Sequence, residues 1–499
     1  MTHEQREIAT SARHGAEAPR GERPLAGATG GRFGRMFPGL PPCDPGADVL
    51  DALESYLRTQ AIDGSDNGRI PAGYTYLGQF IDHDITFDPT SNIARRNDPL
   101  ALVNFRSPRL DLDSLYGGGP ADQPFLYDWN DELDDPGVKL LLTRNSGHPD
   151  LAPLDLPRNH QGRALIGDAR NDENVIVAQL HLLFIRLHNN VVDRVRGESP
   201  RISSAAVFEE AQRIVRWHYQ WIVINDFMLK VVGTKLAGEL RPSPAALPGA
   251  AAIPVEFSGA AFRFGHSLVR NDYNLRSGST ALPILREPGD PGQHLGGFRA
   301  LTKELKIAWA RFFWDTASPP QDGLRSMAID TALAPPLHAL PPDGTSLAGL
   351  NLRRGLALGL PSGTEVALAM GAGTPLLTDD ELRPDGPPAA FGLTTWNPLL
   401  QDPPLWYYIL CEAYVHGGRR LQGEHGILRP AGGKRLGPVG GRIVAEVLVG
   451  LLERDPASYL HHPSPWAPHL RAAAATGEDA ARRYEMRDLV RFIEEPGRP

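Results

Sequence analysis

Long stretches of the chain place apolar residues three or four positions apart, which is the spacing of one face of an α-helix. The clearest stretch is NVIVAQLHLLFIRLHNNVVDRV at 174–195. Its apolar stripe consists of Val177, Leu180, Phe184, Leu187 and Val191. We therefore predict a long helix here, with His181 and His188 in packing or hydrogen-bonding roles.

Two further stretches predict helices of similar length. One begins at SSAAVFEEAQ, where Ser203 or Ser204 can cap the free amides, and continues through RIVRWHYQWIVINDFMLKVVG. The other is GGRIVAEVLVGLLERD. The sequence has no train of alternating strands, no glycine-rich phosphate loop leaving a strand and no repeat of fixed period. The predicted fold class is mainly α.

Composition adds long irregular loops to this helical picture. The chain has 499 residues, of which 52 are glycine and 46 proline, well above average usage. Residues 1–45 show no helical periodicity and predict an extended N-terminal arm. Phe33, Met36 and Phe37 are the side chains expected to attach this arm to the rest of the protein.

Charge and cysteine content exclude several kinds of partner. A formal net charge of -8 without a sustained basic run argues against nucleic acid. No apolar run approaches the roughly 18 residues that span a bilayer, and the N-terminus lacks the apolar core of a signal peptide. With only two cysteines, a reducing compartment is the simplest expectation: a soluble cytoplasmic protein, with secretion independent of a signal also possible.

The segment GQFIDHD at 78–84 concentrates polar groups in an apolar context. In a helix, Gln79 and His83 share a face, whereas Asp82 and Asp84 point to different neighbours. A lone histidine in such a segment is more often part of the core than a functional group. Two more segments change this view: GDARNDEN at 167–174 and AFRFGHSLVR at 261–270.

These three segments together resemble the animal-type haem peroxidases of the peroxidase-cyclooxygenase superfamily. The resemblance continues through LAGLNLRRG at 347–355 and LGPVGGRIVAEVLVGLL at 436–452, in the family's order. It covers most of the chain from about residue 70 onward. It implies one large helical catalytic domain over residues 46–499 that binds haem b, and a reaction with hydrogen peroxide.

On the distal side of the haem, the resemblance assigns three catalytic residues. His83 is the distal histidine, Gln79 is its neighbour and Arg170 is the distal arginine. Cleavage of a peroxide needs a base that moves a proton and a cation that stabilises the departing oxygen, and these residue types suit both tasks. Asp82 and Glu173 match acids that can form ester bonds to haem methyl groups. Salt bridging, for example to Arg170, is the alternative.

On the proximal side, His266 is expected to bind the haem iron. Asn351 matches the residue that accepts a hydrogen bond from this histidine, and such a bond raises the donor strength of an imidazole. Arg354 matches an arginine near a haem propionate. The residues that follow, LALG at 356–359, depart from the family's usual RDHG, which puts the local contacts of this segment in doubt.

The segment SPRLDLDS at 107–114 supplies a second expected site, for Ca²⁺. Ca²⁺ prefers six to eight hard oxygen ligands, and an acid-rich loop presents them at alternate positions. Matching the family residue by residue gives five ligands: Asp84, Ser107, the carbonyl of Arg109, Asp111 and Asp113. A solvated acidic loop without metal is the alternative.

The resulting hypothesis is a haem peroxidase that oxidises small organic donors, or halide and pseudohalide anions. Asn174 stands where a strongly chlorinating relative has methionine, so we expect no sulfonium link and easier oxidation of iodide, thiocyanate or bromide than of chloride. One alternative is a fatty-acid dioxygenase, but Arg263 occupies the position of its radical-forming tyrosine. The other is a non-enzymatic haem or adhesion module. The donor and the oligomeric state stay open.

Overall fold

A computed structural model describes most of the chain from residue 31 onward. The described ranges are 31–60, 67–87, 103–104, 106–130, 136–234, 252–286, 293–340, 344–371, 374–382, 393–417, 421–422, 428–429, 432–472 and 483–495. The first 30 residues of the predicted N-terminal arm therefore lie outside the described residues.

Helices make up most of the regular structure, which confirms the predicted fold class. In chain order they are α1 (Ala47–Thr59), α2 (Gly73–Ile85), α3 (Asp113–Tyr116), α4 (Val175–Glu198), α5 (Ser204–Ile222), α6 (Met228–Val231), α7 (Val255–Gly259), α8 (Leu347–Ala357), α9 (Gly363–Met370), α10 (Leu393–Gln401), α11 (Leu405–His416), α12 (Pro438–Arg454) and α13 (Met486–Glu494). Short 3₁₀ turns connect several of them, including Ala169–Asp172 and Ala261–His266.

The strands are short and form small separate sheets. They are β1 (Gly31–Gly34), β2 (Asn67–Pro71), β3 (Val103–Asn104), β4 (Thr143–Arg144), β5 (Leu154–Asp155), β6 (Ala252–Pro254), β7 (Asp272–Tyr273), β8 (Leu282–Pro283), β9 (Arg325–Met327), β10 (Leu421–Gln422) and β11 (Leu428–Arg429). Strand β1 lies between β3, to which it is antiparallel, and β6, to which it is parallel. The other strands pair in twos: β2 with β9, β4 with β5, β7 with β8 and β10 with β11.

Helix α4 begins where the sequence predicts and lies in the core. Asn174 caps it, because its side chain accepts hydrogen bonds from the amides of Ile176 and Val177. Every residue of the predicted stripe is buried. By length and apolarity α4 could cross a bilayer, but 83% of its most apolar window is buried inside the protein, and the core helix of a soluble protein passes the same test.

The predicted second helix is interrupted by a change of helical pitch. Ser203 caps α5 through the amide of Ala206, as predicted. After Ile222 the chain forms a π-helical turn, Val223–Phe227, and then continues as α6. The third predicted helix is α12, which begins two residues earlier than expected at Pro438, a favourable first helical position for proline.

The described part of the N-terminal arm is attached to the domain as predicted. Phe33 is buried, and Met36 and Phe37 pack against the main apolar core. The amides of Met36 and Phe37 donate to the carboxylate of Glu256 in α7, at 2.9 and 3.1 Å. These contacts attach this part of the arm to the domain.

Helix α2 occupies a central position among these elements. It packs against α4, the 3₁₀ turns Ala169–Asp172 and Ala261–His266, and the β2–β9 pair. At its first residue, Gly73, an added Cβ would lie 2.6 Å from the ring of Phe313 and 2.7 Å from the carbonyl of Phe312. Only glycine permits this approach, which holds α2 close to the loop 309–314.

Candidate active site

Helix α2 presents the polar residues of the GQFIDHD segment to different surroundings. His83 and Asp84 are buried, whereas Gln79 and Asp82 are half-buried. This confirms the prediction that the two aspartates face different neighbours: Asp82 accepts a hydrogen bond from the hydroxyl of Thr86 at 2.9 Å, and Asp84 faces the loop 107–114.

The imidazole of His83 is held by a buried hydrogen-bonded chain. Its Nδ1 lies 2.9 Å from Oδ1 of Asn171, and an amide oxygen only accepts, so Nδ1 carries the hydrogen. The amide nitrogen of Asn171 donates in turn to Nδ1 of His181 at 3.1 Å. Neutral His83 therefore keeps a lone pair on Nε2, and among the described residues nothing donates to that atom.

Arg170 lies beside this histidine and is tightly oriented. Its guanidinium pairs with the buried Asp168 at 2.8 Å and donates to the carbonyls of His83 and Thr86 at 3.1 and 2.7 Å. It also stacks over the ring of Phe87 at 4.7 Å. Within the described part of the chain Nη1 makes no hydrogen bond, so Arg170 keeps a donor for a further group.

Asp168 links this arginine to a second one. Arg106 pairs with Asp168 and, at 3.3 Å, with Asp113. Although burial alone would raise it, the charges of Arg170 and Arg106 hold the pKa of Asp168 well below its usual range. The carboxylate thus stays ionised and fixes both guanidinium groups.

Electrostatics keep His83 in its neutral, basic form. Burial, and then the positive charge of Arg170, lower the pKa of its imidazole below the ordinary value. The acids Glu173, Asp168 and Asp82 act in the opposite direction without reversing the shift. His181 behaves in the same way, since burial lowers its pKa to about 3.

The two remaining predicted residues on this side, Gln79 and Glu173, contact each other. The amide of Gln79 donates to the carboxylate of Glu173 and accepts from Asn174 at 3.2 Å. The main-chain carbonyl of Glu173 accepts from Gly297 at 3.0 Å, which fixes the turn that carries it. Arg170 itself pairs with the carboxylate of Asp168.

On the opposite side, His266 ends the 3₁₀ turn that packs against α2. Its Nδ1 lies 2.9 Å from the side-chain amide of the buried Asn351 in α8. The side-chain nitrogen of Asn351 is the atom that faces Nδ1, so in this placement the amide donates to the ring. A half-turn of the amide, which exchanges its oxygen and nitrogen, would instead let it accept a hydrogen bond from Nδ1–H. A Cβ added at the neighbouring Gly265 would meet no atom within 4 Å, so the space beside His266 is open.

Two arginines complete this side. Arg263, three residues before His266, donates to the carbonyl of Ser258 at 2.8 Å. Burial lowers the pKa of Arg263, and the negative charge of Asp82 opposes this effect. Arg263 therefore interacts electrostatically with Asp82 of α2. Arg354 is half-buried, one helical turn after Asn351 in α8.

Three carboxylates converge behind His83. The acidic triad, consisting of Asp84, Asp111 and Asp113, places one carboxylate oxygen of each residue within 4.8 Å of the others. Ser107 joins it by donating to Asp111 at 2.6 Å, and the main-chain amide of Ser107 donates to Asp113 at 3.1 Å. The side chain of Arg109, in the same loop, is exposed.

The acidic triad carries more negative charge than its surroundings balance. Burial, followed by the charges of Asp113 and Asp111, raises the pKa of Asp84, which is fully buried. Burial also raises the pKa of Asp113 to about 7, against the opposing effect of Arg106. A hard cation at this position would relieve the repulsion, and the oxygen donors present are those that Ca²⁺ prefers.

The sequence did not indicate Asn171 and Asp168 as functional, although both belong to the segment GDARNDEN. Asn171 orients His83, and Asp168 orients Arg170. Their residue types are common in turns and caps, and Asp168 does cap the 3₁₀ turn that follows it. The sequence indicated that the segment GDARNDEN is functional. Which of its residues contact α2 is seen only in the structure.

Comparison with known proteins identifies the family. The sequence model of the animal haem peroxidase family matches residues 91–367, which is more than half of the chain. This range contains Arg170, Glu173, His266 and Asn351. The chain belongs to the animal haem peroxidase family. Residues 78–84 precede the matched range, so the position of His83 beside Arg170 is an observation from the structure alone.

Curated relatives are peroxidases or resemble them. A peroxidase-like protein of Margaritifera margaritifera is 28% identical over 355 residues, which cover 59% of this chain and 45% of that protein. Thyroid peroxidase of Sus scrofa is 26% identical over 304 residues, covering 54% of this chain and 30% of the relative. The chain thus spans less than half the length of these relatives.

Solved structures share the fold at low identity. Peroxidase A of Dictyostelium discoideum superimposes with a TM-score of 0.57 at 15% identity, covering 90% of this chain and 92% of the other. Fatty acid alpha-dioxygenase of Oryza sativa gives a TM-score of 0.56 at 16% identity, covering 90% and 79%. These similarities establish the helical fold, which family members with different reactions share.

Proposed function

We propose that this protein is a haem-dependent peroxidase that reduces hydrogen peroxide and oxidises small organic donors or halide-type anions. The observation that carries the proposal is the buried chain from His83 through Asn171 to His181, with Arg170 beside it. This arrangement supplies a neutral base and a fixed cation together, as peroxide cleavage requires.

The residues on both sides fit a haem. His266 and His83 each have Nδ1 beside the side-chain amide of an asparagine, Asn351 and Asn171 respectively. The open space at Gly265 is consistent with a large flat group beside His266. We assign His266 as the ligand of the haem iron and Asn351 as the acceptor that strengthens it. The redox chemistry, cleavage of the O–O bond and recovery of electrons from a donor, is supplied by the bound haem.

His83 performs the proton transfer. Its Nε2 accepts a proton from one oxygen of hydrogen peroxide and delivers it to the other, which then leaves as water. This cycle needs an imidazole that starts neutral, and burial together with Arg170 favours that state by lowering the pKa of His83. Asn171 holds the required tautomer throughout.

Arg170 stabilises the negative charge that develops on the departing oxygen. Its guanidinium is oriented by Asp168 and two main-chain carbonyls, so little reorganisation is needed during the reaction. Gln79 positions Glu173, and we propose that Glu173 and Asp82 lie at the haem rim and form ester links to haem b. Arg354 is assigned to a haem propionate.

The acidic triad is proposed to bind Ca²⁺, with the hydroxyl of Ser107 and the carbonyl of Arg109 as further ligands. Its support is the convergence of three carboxylates at a buried position and their mutual repulsion. Because Asp84 directly follows His83 in α2, the bound cation would hold the helix that carries the base.

The structural similarity to fatty acid alpha-dioxygenases raises the alternative of lipid oxidation. Abstraction of hydrogen from a fatty acid needs a residue that forms a stable radical near the haem. Arg263 stands at the position expected for that tyrosine, and a guanidinium does not form such a radical. The base and cation pair at His83 and Arg170 therefore favours the peroxidase reaction.

Stopped-flow mixing of the haem-loaded protein with hydrogen peroxide tests the proposal. The haem spectrum should change rapidly, and addition of a small donor such as iodide or guaiacol should restore it. The His83→Ala variant should react at least about a hundredfold more slowly, the scale of a lost general base. A parent protein that binds haem but leaves its spectrum unchanged in peroxide would overturn the proposed function.

A further inference from the structure

A second apolar cluster lies apart from the main core, near the surface. The aromatic cluster consists of Trp217 and Trp221 of α5, Tyr459, and the partly exposed Trp466. The ring of Trp466 lies 5.6 Å from Trp217, 6.2 Å from Trp221 and 5.5 Å from Tyr459. Three oxidisable rings thus contact Trp466, and Trp466 and Trp221 are both partly exposed.

The aromatic cluster connects to the candidate active site through helix α5. Tyr219 lies between Trp217 and Trp221 in sequence, and its ring points the other way, into the core. It contacts Phe80 at 6.2 Å, and Phe80 lies one turn before His83 in α2. The rings of Phe80 and Tyr219 therefore connect the active-site helix α2 with one face of α5. The tryptophans lie on the opposite face of α5, and the helix between the two faces is about 10 Å wide.

The indole N–H groups of the cluster are held where they cannot lose a proton easily. Nε1 of Trp221 is buried and has no hydrogen-bond acceptor among the described residues. Nε1 of Trp217 donates to the main-chain carbonyl of Ala457 at 2.8 Å, and a carbonyl is too weak a base to remove the proton. An indole oxidised at Trp221 stays a radical cation and can take its electron back without proton movement. The guanidinium of Arg213 lies over the ring of Trp217 at 4.3 Å and disfavours a positive charge there.

We propose that Trp466 is a second oxidation site, at which the protein oxidises large aromatic donors that cannot enter the haem pocket. This inference rests on the proposed peroxidase function. An electron from a donor at Trp466 would pass through Trp221, then across Tyr219 and Phe80, towards the bound haem, which would supply the oxidising power. The donors expected are phenols carried on polymers or other large molecules.

The reaction balances with hydrogen peroxide as the oxidant. Two phenols each lose one electron at Trp466 and release one proton to solvent, becoming phenoxyl radicals. The two electrons and two protons reduce one hydrogen peroxide to two water molecules. Trp466 is restored after each electron, so the site turns over without covalent change.

A pair of donors that differ only in size tests the proposal. Free tyramine can enter the haem pocket, whereas tyramine coupled to dextran presents the same phenol on a large polymer. In the Trp466→Phe variant, kcat/KM for the conjugate should fall by about tenfold or more, while free tyramine keeps its parental value within about twofold. Trp466→Tyr should retain much of the activity towards the conjugate, because tyrosine is also oxidisable.

Trp129→Phe is the matched control. Trp129 is 50% exposed and lies outside the aromatic cluster, so its replacement should affect neither donor. A readout independent of turnover is the electron paramagnetic resonance spectrum after peroxide is added without donor. It should contain a tryptophan radical in the parent and in Trp129→Phe, and peptide mapping should then find oxygen added to Trp466. The oxygen added at position 466 should be absent in Trp466→Phe.

The outcomes separate the two proposals. If the haem-loaded parent fails to oxidise free tyramine, the peroxidase function is wrong and the second site is wrong with it. If free tyramine is oxidised but Trp466→Phe and Trp129→Phe act equally on the conjugate, only the second site is refuted. Absence of a tryptophan radical in an active parent would likewise refute it.

Discussion

Replacement of Asn171 by leucine keeps the distal base, His83, but removes the side chain that orients its imidazole. Asn171 is completely buried, and leucine has a similar shape without polar atoms. The substitution removes the acceptor for Nδ1–H of His83 and the donor to His181 at once. His83 itself, Arg170 and Asp168 keep all their other contacts.

The expected size of the effect follows from these two hydrogen bonds. One hydrogen bond contributes a net ~0.5–1.5 kcal/mol, and this is the free energy that favours the Nδ1–H tautomer of His83. Since about 1.4 kcal/mol is a factor of ten, the ratio of the Nδ1–H to the Nε2–H tautomer of His83 should fall roughly two- to tenfold, and the rate should fall with the population of the Nδ1–H tautomer. Two buried ring nitrogens left without partners, at about 1–3 kcal/mol each, should lower the free energy of unfolding by roughly 2–6 kcal/mol.

The assay is the second-order rate constant of the haem-loaded protein with hydrogen peroxide, measured below the melting temperature of each variant. His181→Phe is the control, because it disturbs the same buried chain but leaves the Asn171 oxygen in contact with His83. It should lower stability while keeping the rate within about twofold of the parent. The reasoning is refuted if Asn171→Leu reacts at the parental rate, or if His181→Phe slows the reaction equally.

Three further outcomes are expected. Removal of Ca²⁺ with EGTA should lower the melting temperature and shift the haem spectrum, because a ligand at a thousand times its Kd contributes about 4 kcal/mol; no bound calcium in elemental analysis and an unchanged melting curve would contradict this. Burial raises the pKa of Glu412 from 4.5 to about 8, so between these values the folded state binds the extra proton and stability falls as pH rises. In Glu412→Gln, the free energy of unfolding measured with urea should fall less steeply with pH than in the parent. An identical pH dependence in the two proteins would disprove this assignment. After peroxide treatment, acid-solvent extraction should leave haem on the protein through Asp82 and Glu173, and complete release of unmodified haem would exclude the ester links.

The helices were predictable from the sequence because their apolar spacing is strong. Helix α4 follows its stripe, and its cap at Asn174 and the cap of α5 at Ser203 use residue types with a local mechanism. The π-helical turn Val223–Phe227 was not predictable, because it depends on tertiary contacts. Asp226 within it accepts hydrogen bonds from Tyr74, at 2.6 Å, and from the amide of Met486, at 2.7 Å, and both residues are far away in the sequence.

The residues of the candidate site could be proposed from the sequence, but the contacts between them could not. Matching motifs brought His83, Arg170, His266 and Asn351 together as a hypothesis, and the structure places the members of each pair in contact. The hydrogen-bonded partner of His83 could not be inferred, because an asparagine in a turn has many possible uses. The same applies to the aromatic cluster, whose tryptophans look like ordinary core residues until their distances are known.

The pairing of β1 with β6 has a consequence for synthesis on the ribosome. Phe33 pairs with Ile253, and Arg35 donates to the carbonyls of Leu358 and Gly359 at 2.7 and 2.8 Å. At about 5–20 residues per second, β6 emerges roughly ten seconds or more after β1, and α8 follows later still. During that time the nascent N-terminal segment lacks β6 and the carbonyls of Leu358 and Gly359, and of its strand partners only β3 has been synthesised. Asn351 belongs to α8. A chain whose synthesis ends between His266 and α8 therefore has His83 and His266 but lacks the asparagine that contacts His266.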